Sequence, residues 1–94
     1  MITHIVLFKF KDPSLAPQGK ALLESMVGKI PQLRSLQAGV DVIHSERSYD
    51  LGLVTTFDSL DDLQAYQVHP YHAGEVVPFM KANCSASVAV DFQS

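Results

Sequence analysis

Tryptophan is absent from the sequence, and cysteine occurs once, as Cys84. A single cysteine cannot close an intramolecular disulfide, which excludes a disulfide-stapled scaffold and fits a reducing, cytoplasmic compartment. Cys84 itself has two readings: a reactive thiol, or a small apolar side chain near the start of the last strand, the commoner role. Basic residues are few, with seven Lys and Arg against ten Asp and Glu and a net charge of −3. They are scattered and form no stripe or groove suited to a nucleic-acid backbone, so no nucleic-acid partner is expected. No apolar run approaches the roughly 20 residues that cross a bilayer. The first strand signal starts at Met1, leaving no space for a signal peptide, so no membrane partner is expected either. Repeats, linkers and low-complexity stretches are also missing. What is present is 47% hydrophobic and 18% charged, the balance of a single globular domain over residues 1–94.

Hydrophobic spacing divides the chain into four strands and three helical pieces. Residues 1–10, MITHIVLFKF, are rich in β-branched and aromatic side chains and predict a strand. Alternation sets His4, Val6, Phe8 and Phe10 on one face, with Ile5 and Leu7 on the other. From Pro17 to Ile30, the apolar positions Leu22, Leu23, Met26, Val27 and Ile30 follow helical spacing, and Pro31 ends the helix. Residues 35–45 and 49–57 predict two strands joined by a polar turn at SERS. Residues 57–68 predict a second helix, with Ser59 as N-cap and Asp61 and Asp62 in the first turn, where the helix dipole favours them. Pro70 breaks this helix. A further helical piece is expected over residues 73–83 with Pro78 as a kink, and residues 85–92 predict the last strand.

The order β-α-β-β-α-β in one short domain predicts an α+β, ferredoxin-like fold: a four-stranded antiparallel sheet with helices on one face. The first strand is nevertheless apolar on both faces. In the third, Leu51, Leu53 and Phe57 oppose Gly52 and Val54. A sheet apolar on both sides must bury both. In so short a chain the second cover is most simply another copy of the same sheet, so a homodimer with face-to-face sheets, a dimeric α+β barrel, is expected.

Four segments, HIVLFKFKD at the start, GVDV before the central hairpin, HPYH after the second helix and VAVDF at the end, resemble the stress-responsive α/β-barrel (Dabb) family in order and spacing. The resemblance covers nearly the whole chain and implies the same protomer and the same homodimer. The family includes stress-induced plant proteins, bacterial proteins of unassigned function and a plant polyketide cyclase, so it speaks to fold more than to function. Carried over residue by residue, the resemblance implies that His4 opens the first strand at a pocket. It implies that Tyr66 and His72 are the tyrosine–histidine pair of the cyclisation chemistry. Two positions depart from that pattern: Leu51 stands where the cyclase has a further pocket histidine, and Met26 where it has a tyrosine. Both changes make the expected pocket more apolar.

The chemistry of the pair also has its own physical basis. A cofactor-free aldol or cyclisation step needs a base for a proton next to a carbonyl and a donor for the developing enolate. Imidazole titrates near neutrality and serves as base, and a phenol held in an apolar cavity donates to an oxyanion. The expected site therefore has His72 and Tyr66 at its centre and a ligand pocket drawn from His4, Val6, Phe8, Met26, Leu51 and His69. Its ligand is a small apolar or aromatic carbonyl compound, and no cofactor is required. Structural roles compete at each position. His69 precedes proline at a helix end, where its ring can bond terminal carbonyls. Tyr66 can be a core aromatic, Tyr71 a surface or interface residue, and His44 a solvated one. The His-x-x-His spacing suggests a metal, but two histidines without a third ligand fall short of a zinc site, and none is expected. Three function classes remain: a cofactor-independent cyclase- or lyase-like enzyme, a small-molecule binding module without turnover, and a stress-related dimeric scaffold. A cofactor-free monooxygenase-like enzyme is a relative of the first, without a specific signal in the residues.

Overall fold

A computed structural model describes residues 1–94. Its elements are β1 (Ile2–Phe10), α1 (Ala16–Glu24), β2 (Ser35–Val40), β3 (Leu51–Phe57), α2 (Leu60–Val68), α3 (Val77–Asn83) and β4 (Cys84–Gln93). A short 3₁₀ turn at Pro13–Leu15 precedes α1, and a wide π-helical turn at His72–Val76 leads into α3. The strands form one antiparallel sheet in the order β2-β3-β1-β4. This is the ferredoxin-like arrangement expected from the element order. In register, Ile2 lies opposite Phe57, Phe8 opposite Leu51, and His4 opposite Asp91.

Alternation sorts the sheet as its sequence requires. Ile2, Phe8 and Phe10 from β1 and Leu51, Leu53 and Phe57 from β3 are buried with Leu23, Met26, Leu63, Tyr66 and Met80. At roughly 1.5–3 kcal/mol for each large apolar side chain removed from water, this layer holds the helices on the sheet. The opposite face has no cover. Leu7, Val54, Val88, Val90 and Phe92 are 38–54% exposed there.

Local chemistry sets where elements start and stop. Ser59 caps α2, its hydroxyl accepting from the Asp62 amide at 3.2 Å, with Asp61 and Asp62 in the first turn. The helix expected through Ile30 instead stops regular α geometry at Glu24. Residues 25–29 continue in tighter turns, with the amides of Met26, Val27 and Lys29 bonding three residues back. The Ser25 hydroxyl also bonds back to the Leu22 carbonyl, a local competitor of the ladder. Gly28 takes a φ of +84°, where a side chain would be strained. The turn still brings Met26 and Ile30 into the core, which preserves the apolar spacing that predicted a longer helix.

The second strand expected over residues 35–45 ends at Val40. Asp41 accepts the His44 amide at 2.6 Å, and His44 adopts a left-handed φ of 59°. That turn draws the backbone out of the sheet and leaves Val42 and Ile43 in solvent. The piece expected over residues 73–83 is helical, but not uniformly α. Pro78 has no amide hydrogen, so a regular ladder cannot run through it. One turn widens before it, with the Val77 amide bonding the His72 carbonyl.

Candidate functional site

Pro70 disfavours helical geometry at the residue before it, and His69 accordingly leaves α2 with φ −59° and ψ 136°. Helix resumes at Pro70, a position where a missing amide hydrogen costs nothing. The His69 carbonyl accepts from the Ala73 amide at 2.8 Å, and its ring Nδ1 accepts from the Tyr71 amide at 3.1 Å. His69 therefore caps the start of the following helical piece. This corrects the expectation that its ring would bond terminal carbonyls of α2: the orphan groups it meets are amide donors, and the ring accepts.

The same break creates the partner for His72. The Tyr71 amide would serve the Gln67 carbonyl in an unbroken helix, but it is taken by His69. The His72 ring fills the vacancy, with Nδ1 at 3.0 Å from the Gln67 oxygen. A carbonyl only accepts, so Nδ1 carries the proton and Nε2 keeps its lone pair. Burial is the main cause that holds the His72 imidazole below its ordinary value. Charge on His4 and His69 acts in the same direction, and the Gln67 bond opposes them. His72 is thereby kept as the neutral, basic form near pH 7.

Tyr66 sits on the last turns of α2 and is 1% exposed. Its ring centroid lies 4.5 Å from that of His72, 4.9 Å from Phe57 and 6.3 Å from His4, the last in an edge-on arrangement. Tyr71 bonds its hydroxyl to the Ser25 hydroxyl at 2.5 Å, whereas the Tyr66 hydroxyl has no hydrogen-bonding partner in the protein. Burial pushes its pKa well above that of an ordinary phenol, so the group remains a donor. His4, 7% exposed, bonds through Nδ1 to the Asp91 carboxylate across the β1–β4 pair.

These three side chains share the wall of one cavity of about 430 Å³ between β1, β4 and the helical segment that follows the break. This is within the size range of small-molecule sites. Val6 and Phe8 floor it and Met80 faces them, while Lys81, Ser85 and Ser87 lie at the end toward the start of β4. Of the residues expected around a pocket, His4, Val6, Phe8, Tyr66 and His72 are brought together. Met26, Leu51 and His69 are not on the cavity wall. Met26 and Leu51, 0% and 1% exposed, fill the core beneath α1.

Asp91 and the wall residues Val76, Val77 and Met80 escaped sequence reasoning. The signal for Asp91 was its place in the VAVDF strand, but only the β1–β4 register sets it opposite His4. Cys84 lines the cavity, and its thiol is pushed up by burial and by the charge of Asp50, which makes it a poor nucleophile. Tyr71, half-buried, faces away from the cavity and ties the break to the end of α1 through Ser25, with the Lys29 ammonium 6.0 Å from its ring. His44 is exposed, 3.5 Å from Asp41. No three His, Cys, Asp or Glu side chains converge as metal ligands. No helix is long and apolar enough to cross a membrane.

Comparison with known proteins agrees with this fold. The model of the Stress responsive A/B Barrel Domain family matches residues 2–94. Olivetolic acid cyclase of Cannabis sativa is 30% identical over 78 residues, covering 78% of this chain and 77% of the cyclase. Among solved structures, a dimeric ferredoxin-like protein of unknown function from Thermobifida fusca has a TM-score of 0.85 at 30% identity, covering 99% of this chain and 90% of that one. One from Bacteroides fragilis, also described as dimeric, ferredoxin-like and of unknown function, has a TM-score of 0.87 at 26% identity, covering 99% and 95%. With a family model matched over nearly its whole length, the chain belongs to the stress-responsive A/B barrel domain family.

Proposed function

We propose that this protein is a homodimer that binds a small, largely apolar carbonyl or phenolic compound in the β1–β4 cavity and carries out cofactor-independent acid-base chemistry on it. One observation carries the reading. A phenol without a protein partner and an imidazole with a free Nε2 lie with ring centroids 4.5 Å apart on the wall of one apolar cavity. Buried polar groups are normally satisfied within the protein, and a hydroxyl left unbonded beside a cavity is positioned for a ligand. Support for the class of reaction comes from the cyclase at 30% identity. Support for the dimer comes from the exposed apolar sheet face and from the neighbours described as dimeric.

In this reading, Nε2 of His72 removes a proton from the carbon next to a substrate carbonyl. The C–H electron pair moves into an enolate whose oxygen accepts a hydrogen bond from Tyr66. The enolate carbon attacks a second carbonyl of the same molecule, and the resulting alkoxide takes the proton back from the His72 imidazolium. Each step leaves the protein unchanged, and no oxidant or cofactor enters. Ligand capture from protein purified out of its native host, read by mass spectrometry, supplies the compound. With it, Tyr66→Phe and His72→Ala should each lower binding or turnover by about tenfold or more. Full retention of both by either variant would overturn the reading.

A further inference from the structure

The cavity has a second polar end that the proton-transfer chemistry leaves unused. Lys81 is the only charged side chain on its wall apart from the histidines, and no carboxylate lies within ion-pair distance of it. A lysine in the last turn of a helix ordinarily serves the terminal carbonyls. Here other groups already do so. Lys11 donates to the Ala82 carbonyl at 3.2 Å, Asn83 to the Phe79 carbonyl at 2.9 Å, and the Cys84 amide to the Met80 carbonyl. The Lys81 side chain is exposed, and its ammonium makes no ion pair within the protein.

Its distance from the Tyr66–His72 end follows from the elements between them. Lys81 follows His72 by nine positions of helix, at most about 13 Å at the α-helical rise of 1.5 Å per residue, because the wider turn at His72–Val76 rises less. Along the opposite wall, His4 and Phe8 stand at the two ends of the same span, again about 13 Å for four residues of strand. The wall between is apolar, with Val6, Val77 and Met80. Ser85 and Ser87 also line the cavity; the Ser85 hydroxyl donates to the Lys9 carbonyl at 3.3 Å.

We propose that the ligand of this cavity is an amphipathic anion. Its carbonyl lies at Tyr66 and His72, its apolar body spans the floor, and a carboxylate or phosphate pairs with Lys81. This rests on the functional reading above and narrows its substrate class. The anion sets orientation, placing the reactive carbonyl at the imidazole rather than at the Lys81 end. Lys81 is thus a specificity-determining residue that takes no part in proton transfer.

The test uses a medium-chain keto acid with its ketone remote from the carboxylate, its methyl ester, and the corresponding keto-alkyl phosphate. Dissociation constants are measured by titration calorimetry at low salt. The wild type should bind the acid about fivefold or more tightly than the ester, as expected for a partly screened ion pair. Lys81→Met keeps the apolar stem and should erase that preference without weakening the ester, while Lys81→Arg should restore it. The phosphate arm shows which anion is preferred. Equal affinity of acid and ester for the wild type, or a preference that survives Lys81→Met, overturns the anion assignment and leaves the Tyr66–His72 reading standing. A preference lost in Lys81→Met but accompanied by no loss in Tyr66→Phe or His72→Ala sustains Lys81 and sinks the proton-transfer reading. Absence of binding by all three compounds overturns both for this ligand class.

Discussion

Replacing Tyr66 by Phe separates a ligand-facing hydroxyl from a structural one. The Tyr66 ring is among the largest fully buried side chains and packs against Phe57, His4 and His72. Removing the whole side chain, as in Tyr66→Ala, should cost about 3–5 kcal/mol. A domain of this size commonly has about 5–14 kcal/mol of total stability, so that variant threatens folding and says little about function. Tyr66→Phe keeps the ring and deletes only the oxygen, which bonds to no protein group. A buried hydroxyl bonded within the protein would contribute about 0.5–1.5 kcal/mol, whereas an unbonded one contributes nothing and its removal is neutral or slightly stabilising. The expected result in urea denaturation followed by circular dichroism, at matched protein concentration, is a midpoint unchanged or slightly raised and an unchanged slope. On heating, the melting temperature should move by less than about 4 °C, the shift for 1 kcal/mol in a domain of this length. Ligand binding should nonetheless fall by about tenfold. Destabilisation by more than about 1 kcal/mol would show that the hydroxyl is structurally engaged, and the argument from its freedom would fail.

Acid should destabilise the protein partly through His72. Its folded-state pKa lies below the ordinary 6.5, so the unfolded chain takes up more protons as pH falls through about 6.5. The associated stability is complete above that pH and lost as pH drops toward the folded value. His72→Gln should flatten this part of the profile, and an unaltered slope in denaturation across pH 5–7 would count against it. Leu7→Lys, on the exposed sheet face, should shift the dimer to monomer in sedimentation at micromolar concentration; a wild type that already sediments as monomer would refute the dimer. Gly19→Ala should destabilise by about 1–3 kcal/mol in the same urea assay, despite the better helix propensity of alanine. The added Cβ would lie 2.7 Å from the buried Phe10 ring and 3.1 Å from Leu51, and a neutral effect would mean that this core yields more than its packing indicates.

How much of this was legible in the sequence depended on how far each cause reached along the chain. The β1 alternation, the Ser59 cap and the break at Pro70 rest on neighbours within a few residues, and all appear at the expected positions. The end of β2 was local too, but Asp41 and His44 compete with the strand through a hydrogen bond that hydrophobic spacing does not register. Met26 and Leu51 lie on inward faces, and periodicity predicts that much. Whether an inward side chain borders space or is covered depends on where α1 crosses the sheet, and both are covered. Asp91 and Lys81 needed the β1–β4 register and the helical frame after the break, which are long-range facts.

One environment moves the Tyr66 and His72 pKa values in opposite directions. Burial disfavours whichever form is charged. For Tyr66 that is the phenolate, so its pKa rises; for His72 it is the imidazolium, so its pKa falls. The same desolvation therefore leaves a neutral donor beside a neutral base across a wide range of pH. Burial is the largest cause of both shifts, and charge on His4 and His69 adds to that of His72. The bond from His72 to the Gln67 carbonyl adds what burial cannot, a fixed tautomer with the lone pair on Nε2. That carbonyl is free only because Pro70 and His69 interrupt the helix there. The proline that looks like a simple stop between two helices thus orients the His72 imidazole, and Tyr66, one turn before the break, is held beside it by the same backbone.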